Sequence, residues 1–164
     1  MKLTELNRLV IHLPERHDRF ESLNEQMPYL GDKTFRLVNG IIDPNPMKGI
    51  GQAHINCILI AKQAEWNSVI IMEDDVVFNG KEQTANYIQE CLNNVPNEWD
   101  ILLGGLYYSK KIDPYNEYWN KTGEFCGAHF YIVNSKAYDK ILEYDFTHHI
   151  DRWLNMNNRL NCYV

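Results

Sequence analysis

An α/β fold with a mostly parallel central sheet is predicted by three observations. Apolar runs of strand length alternate along the chain with stretches whose apolar residues recur every three or four positions. One of those runs, Ser68 to Met72, is apolar almost throughout, as expected of a strand covered on both faces. The resulting order, β-α-β-α-β-α-β-β-α, is that of strands linked by helical crossovers. The chain has 164 residues, 45% of them hydrophobic, which suits a single compact domain over residues 1–164.

Arg8 to Leu13 is a short buried-strand run ended by Pro14. Phe20, Leu23 and Met27 follow at i, i+3 and i+7, the stripe of an amphipathic helix. Thr34 to Val38 reads as a second strand, and Asn39 to Gly51, with two prolines and three glycines, as a loop. Ala53, Cys57, Ile60 and Ala64 form the core face of a second helix leading into Ser68–Met72. Lys81 to Asn94 is a third helix through Ala85, Ile88, Cys91 and Leu92. Ile101 to Leu103 and Phe130 to Val133 are further strands, and Ser135 is placed to cap a last helix carrying Ala137, Ile141 and Leu142.

Sixteen basic and 22 acidic side chains leave a net charge of −6, which argues against nonspecific binding to a phosphate backbone. No apolar run reaches the ~20 residues of a membrane-spanning helix. The N-terminus lacks a signal-peptide pattern, so a cytoplasmic location is expected. No CxxC pair exists, which excludes a zinc ribbon or thioredoxin-type motif, and Cys57 and Cys91 fall on apolar helix faces as small hydrophobes. Nothing in the sequence signals an oligomeric state.

The sharpest chemical feature is Glu73-Asp74-Asp75, at the carboxyl end of Ser68–Met72, where ligands of open α/β sheets bind. Three adjacent carboxylates repel one another unless a cation is present. Hard oxygen donors suit Mg2+ or Mn2+. In extended chain Glu73 and Asp75 point one way and Asp74 the other. Arg16 and Arg19 are candidates to pair with a diphosphate. His148-His149 is a weaker metal candidate. Tyr107, Tyr108, Tyr115, Tyr118 and Trp119, in a long loop after Gly104-Gly105, could stack on a sugar or base.

Val69 to Val76, a hydrophobic strand running into Glu-Asp-Asp, resembles the signature of glycosyltransferase family 25, which has the GT-A fold. Three further segments follow the family's order. Leu13-Pro14-Glu15-Arg16-His17-Asp18-Arg19 is similar to its Asn-Leu-Pro-x-Arg-x-x-Arg pattern, with His12 in place of the Asn. Gly127 to Asn134 with Ala137 resembles its late Gly, Tyr strand and helix, and His149-Ile150-Asp151 its Pro-Val-Asp. The family's Ser-His pair lies on the helix before the acidic motif, and either His54 or Asn56 takes that histidine's place. The chain stops at Val164, shortly after Asp151, and no histidine follows His149 to supply a late metal ligand.

The resemblance implies a GT-A, Rossmann-like glycosyltransferase, short at its C-terminus. It would move a sugar from a nucleotide diphosphate donor, a UDP-sugar by preference, to an acceptor hydroxyl with inversion. Glu73 and Asp75 would hold Mn2+ or Mg2+. Leu13, Pro14, Arg16, Arg19, His54 and Asp74 would contact the donor. Asp151 would act as the base, with Asp100 and Glu124 behind it. The acceptor would be a glycan before a protein or a hydroxymethylated DNA base, for which Lys110-Lys111 offers a local basic patch. A binding module of the same fold without activity is the competing reading, and a metal-dependent phosphate hydrolase a third.

Overall fold

The computed structural model describes residues 1–31, 34–79 and 83–164. The first elements follow the expected alternation: β1 (Asn7–His12), α1 (His17–Gln26), β2 (Arg36–Asn39), α2 (Pro46–Gln63), β3 (Ser68–Glu73), α3 (Thr84–Asn93) and β4 (Ile101–Leu103). The expected start of the third helix at Lys81 lies outside the described residues. Short strands then fill what reads in sequence as loop: β5 (Tyr108–Ser109), β6 (Ile112–Pro114), β7 (Asn120–Thr122) and β8 (Phe125–Cys126). The chain continues through β9 (Phe130–Asn134), α4 (Tyr138–Ile141), α5 (Ile150–Asn155) and β10 (Cys162–Tyr163).

Among the described residues eight strands form one sheet in the order β2-β1-β3-β9-β4-β10-β7-β6, and β5 pairs with β8 separately. Six of the eight run in one direction, and β7 and β9 run against them. The sheet is therefore mixed. After β4 the chain leaves the carboxyl edge and has no helix to carry it back to the amino edge before β9. It re-enters from the side it left, and the strand that results must be antiparallel.

The uninterrupted apolar strands are covered on both faces. Leu9, Val69, Ile71, Ile101, Tyr131 and Val133 pack under α2, α4 and α5. Val10, Ile70, Met72, Leu102 and Ile132 pack under α1 and α3. Alternate residues of each strand thus feed two separate cores.

Two local expectations are corrected. The stretch Asn39–Gly51 is not all loop, because α2 begins at Pro46, with Asn45 capping it through a side-chain oxygen that accepts the Met47 N–H at 3.1 Å. Gly49 and Gly51 sit inside that helix for close packing and make no turn. A Cβ at Gly51 would come within 2.4 Å of the Tyr144 ring, and one at Gly49 within 2.3 Å of the Ile41 carbonyl oxygen. The 3-10 turn Ser135–Ala137 that leads into α4 is capped by Asn134, which accepts the Lys136 N–H at 3.2 Å, and Ser135 lies within that turn and caps nothing.

Candidate metal and ligand site

The carboxyl ends of β1, β3 and β4 meet the start of β9 at one edge of the sheet. Met72 pairs with Phe130, so His129 stands opposite Glu73, whose N–H donates to the His129 carbonyl oxygen at 2.9 Å. The chain does not stay extended beyond β3: Asp74 and Asp75 form a turn in which the Val76 N–H donates to the Glu73 carbonyl oxygen at 3.2 Å. Glu73 and Asp75 turn toward His129, while Asp74 turns toward β1 and α1.

His129 Nδ1 lies 3.5 Å from Glu73 Oε2 and 3.8 Å from Asp75 Oδ1. One ligand atom from each of the three residues lies within 4.8 Å of the others. Both ring nitrogens of His129 are shielded from solvent, and neither makes a hydrogen bond. Shielded polar atoms are normally paired, so two open nitrogens beside two carboxylates form a donor set with room for a cation.

Asp74 is only 4% exposed and has no free oxygen facing solvent. Its Oδ2 bonds His12 Nδ1 at 2.8 Å, and its Oδ1 accepts from the Arg19 guanidinium at 2.9 Å. Its N–H donates to the Ile11 carbonyl oxygen at 3.1 Å. Asp74 therefore ties β1, α1 and β3 together. Arg19 also reaches Asp75 Oδ2 at 3.2 Å, leaving the other Asp75 oxygen to face His129.

Glu73 is flanked on its inner side by His54 of α2, whose Nε2 lies 3.6 Å from Oε1. Burial pushes the Glu73 carboxyl up, but the His54 and His129 imidazoles pull it down and outweigh burial, so it sits below the usual range. His54 Nδ1 meets the Tyr131 hydroxyl at 2.8 Å. Burial above all, with Cys57 and Glu73 adding to it, raises the Tyr131 hydroxyl well above its ordinary value.

Asp75 and His129 also stand in the wall of a cleft of about 920 Å³ between α3 and the sheet. Phe78, Tyr87, Tyr107, Tyr118 and Trp119 give it aromatic faces. The Tyr107 ring meets the His129 imidazole edge-on, 4.9 Å between centroids. Asp151 reaches the segment that leads into His129. Its Oδ2 accepts the Gly127 N–H at 2.8 Å, fixing a glycine at φ +110° two residues before His129, and its Oδ1 accepts the Arg152 N–H at 2.7 Å.

No protein-family model and no curated protein matches this chain.

Of the residues singled out in the sequence, Glu73, Asp74, Asp75, Arg19 and His54 come together here, and Asp151 is joined to them through Gly127. His54, not Asn56, faces the cluster, since Asn56 accepts from Gln52 one helical turn away. Arg16 is engaged elsewhere. Its guanidinium grips both oxygens of Asp18 at 2.8 and 2.6 Å, which holds the Asp18 carboxyl down at about 2. Leu13 accepts the Arg16 N–H in the turn into α1 and lies over Gly40, and Pro14 is exposed beside it. His148 bonds Thr147, and Lys110 and Lys111 are paired with Glu124 and Asp113.

Sequence reasoning missed His12, His129 and Tyr131 as site residues. Only the antiparallel course of β9 would have revealed His129, because it brings the residue before that strand to the end of β3.

Proposed function

We propose that the protein is a metal-dependent glycosyltransferase of GT-A type, transferring a sugar from a nucleotide diphosphate donor, UDP-linked by preference, to an acceptor hydroxyl with inversion. The observation that carries this reading is the Glu73, Asp75 and His129 donor set opening on an aromatic cleft at the sheet's carboxyl edge. Two carboxylates and an imidazole suit Mn2+ better than Mg2+, which prefers oxygen alone. When bound, the metal would supply the charge that a departing diphosphate needs. The chain's own residues do the rest. Arg19 holds Asp75 and Asp74 in register, Tyr107 offers a ring face beside His129, and Asp151 is the carboxylate assigned to the acceptor proton.

Among the described residues no lysine or arginine lines the cleft. This favours a neutral glycan acceptor over a modified base carried on DNA. One observation favours the inactive binding module as a second reading: each Asp151 oxygen already accepts a backbone N–H.

Release of nucleoside diphosphate from UDP-glucose, UDP-galactose and other nucleotide sugars, with and without Mn2+, separates the two. Transferase chemistry gives slow Mn2+-dependent release that a neutral saccharide accelerates. Donor binding in Mn2+ with no release would leave the binding module, and phosphate release from simple esters would favour a hydrolase.

A further inference from the structure

We infer that Tyr131, hydrogen-bonded to His54, and His54, in ion-pair range of Glu73, form a relay that aims the Glu73 carboxylate at the metal, which makes both of them positioning residues. The inference rests on the metal reading above and adds to it two residues that need not touch any ligand.

Tyr131 lies on β9 with its side chain in the core beneath α2, and only 2% of it is exposed. Among the described residues its hydroxyl bonds one group, Nδ1 of His54. A buried hydroxyl that fails to donate leaves its hydrogen unsatisfied, so the Tyr131 O–H is the donor and Nδ1 the acceptor. In the neutral ring the proton then sits on Nε2, and that N–H is the one directed at Glu73 Oε1, 3.6 Å away. The opposite oxygen, Oε2, is the one that faces His129. One oxygen is thus steered from the protein interior while the other is presented to the cluster.

Core packing alone does not account for this arrangement. Phenylalanine would fill the same volume under α2, and among the described residues the hydroxyl makes no bond except the one that sets the His54 tautomer. Groups that orient a metal ligand in this way typically change metal affinity by 10- to 100-fold when removed.

The test is a Mn2+ titration of the full chain, read by the electron paramagnetic resonance of the free ion, for wild type, Tyr131→Phe, His54→Gln, the double variant and Glu73→Gln. Tyr131→Phe should bind Mn2+ about 10-fold more weakly, with the melting temperature of the metal-free protein close to wild type. His54→Gln should lose at least as much. Because Tyr131 acts only through His54, the double variant should bind no worse than His54→Gln, a non-additivity that a packing role would not produce. Should His54→Gln fail to fold, the near-isosteric Tyr131→Phe still decides the matter. Unchanged Mn2+ affinity in Tyr131→Phe, with Glu73→Gln defective, overturns the relay and leaves the metal site standing. Defects that multiply in the double variant also overturn it. A wild type that binds no Mn2+ removes both.

Discussion

Asp75→Asn isolates the charge that the site needs from the charge that the fold needs. In the metal-free protein Asp75 is 39% exposed and shares Arg19 with Asp74. A pair this exposed contributes about 0–1 kcal/mol. Removing the charge also relieves repulsion from Glu73 and Asp74, so the two effects oppose each other. The melting temperature of the metal-free variant should therefore stay within about 4 °C of wild type. With metal the two proteins should part. At a Mn2+ concentration 100 times the wild-type Kd, binding adds about 2.7 kcal/mol. At about 2–4 °C per kcal/mol for a chain of this size, that is a rise of about 5–11 °C. An amide in place of a carboxylate ligand, weakening binding about 100-fold, leaves about 0.4 kcal/mol at the same concentration, a rise of about 1–2 °C. Differential scanning fluorimetry with and without Mn2+, reversed by a chelator, reads both numbers. A variant that keeps the full Mn2+ shift would remove Asp75 from the site and refute the donor set with it.

The two arginines should behave unlike each other. Arg19→Ala strips a partner from buried Asp74 and should cost about 1–3 kcal/mol in urea unfolding, since His12 still holds the other oxygen, whereas Arg16→Ala, which breaks a fully exposed pair, should leave the urea midpoint close to wild type. Comparable losses would mean that Asp74 is not the hub. The metal-free protein should lose stability as pH falls through about 4, because Glu73 is lower in the folded state than unfolded, so its contribution is present above the unfolded value and lost below it. Glu73→Gln should flatten that acid limb in urea midpoints measured from pH 3 to 6, and an unchanged limb would count against the imidazole contacts. Asp151→Asn should cut kcat about 100- to 10,000-fold if it takes the acceptor proton. It should also cost about 1–3 kcal/mol, because an amide cannot accept both the Gly127 and Arg152 N–H groups. Stability lost with kcat retained would leave Asp151 as a clamp on Gly127 alone.

What could be read from the sequence was whatever local periodicity controls. The apolar run Val69–Met72 reports two covered faces directly, whereas the separation of Asp74 from Glu73 and Asp75, which extended chain would also give, is made by the turn after β3. What could not be read depends on partners distant in the chain. Glycine and proline between Asn39 and Gly51 carry the composition of a turn, yet Pro46 starts a helix and the glycines answer to Tyr144 and Ile41. Arg16 and Arg19 look equivalent in sequence. One is captured by Asp18 two residues away, and the other by Asp74 across the sheet. Only the phase of α2 separates His54 from Asn56, because two positions along a helix face nearly opposite ways.

Strand direction also narrows the search for a base. Asp100 immediately precedes β4, and β4 runs parallel to β3, so Asp100 lies at the amino edge of the sheet, away from the cluster. There it accepts the Asn161 N–H at 2.8 Å. Glu124 is paired with Lys110 at 2.6 Å and faces Arg152 at 3.9 Å, an arrangement that pulls its carboxyl below the usual range. Asp74 is buried between His12 and Arg19, and Glu73 and Asp75 belong to the donor set. Among these carboxylates Asp151 alone combines a link to the His129 turn with freedom from any cationic partner. Two of the roughly four lone-pair positions of a carboxylate are used by backbone N–H groups, and the proposed role needs one of the other two to meet the acceptor hydroxyl. A residue that both shapes the Gly127 turn and accepts the proton would couple the position of a metal ligand to the position of the base. In the proposed transferase that coupling would give the clamp a catalytic purpose beyond holding the loop.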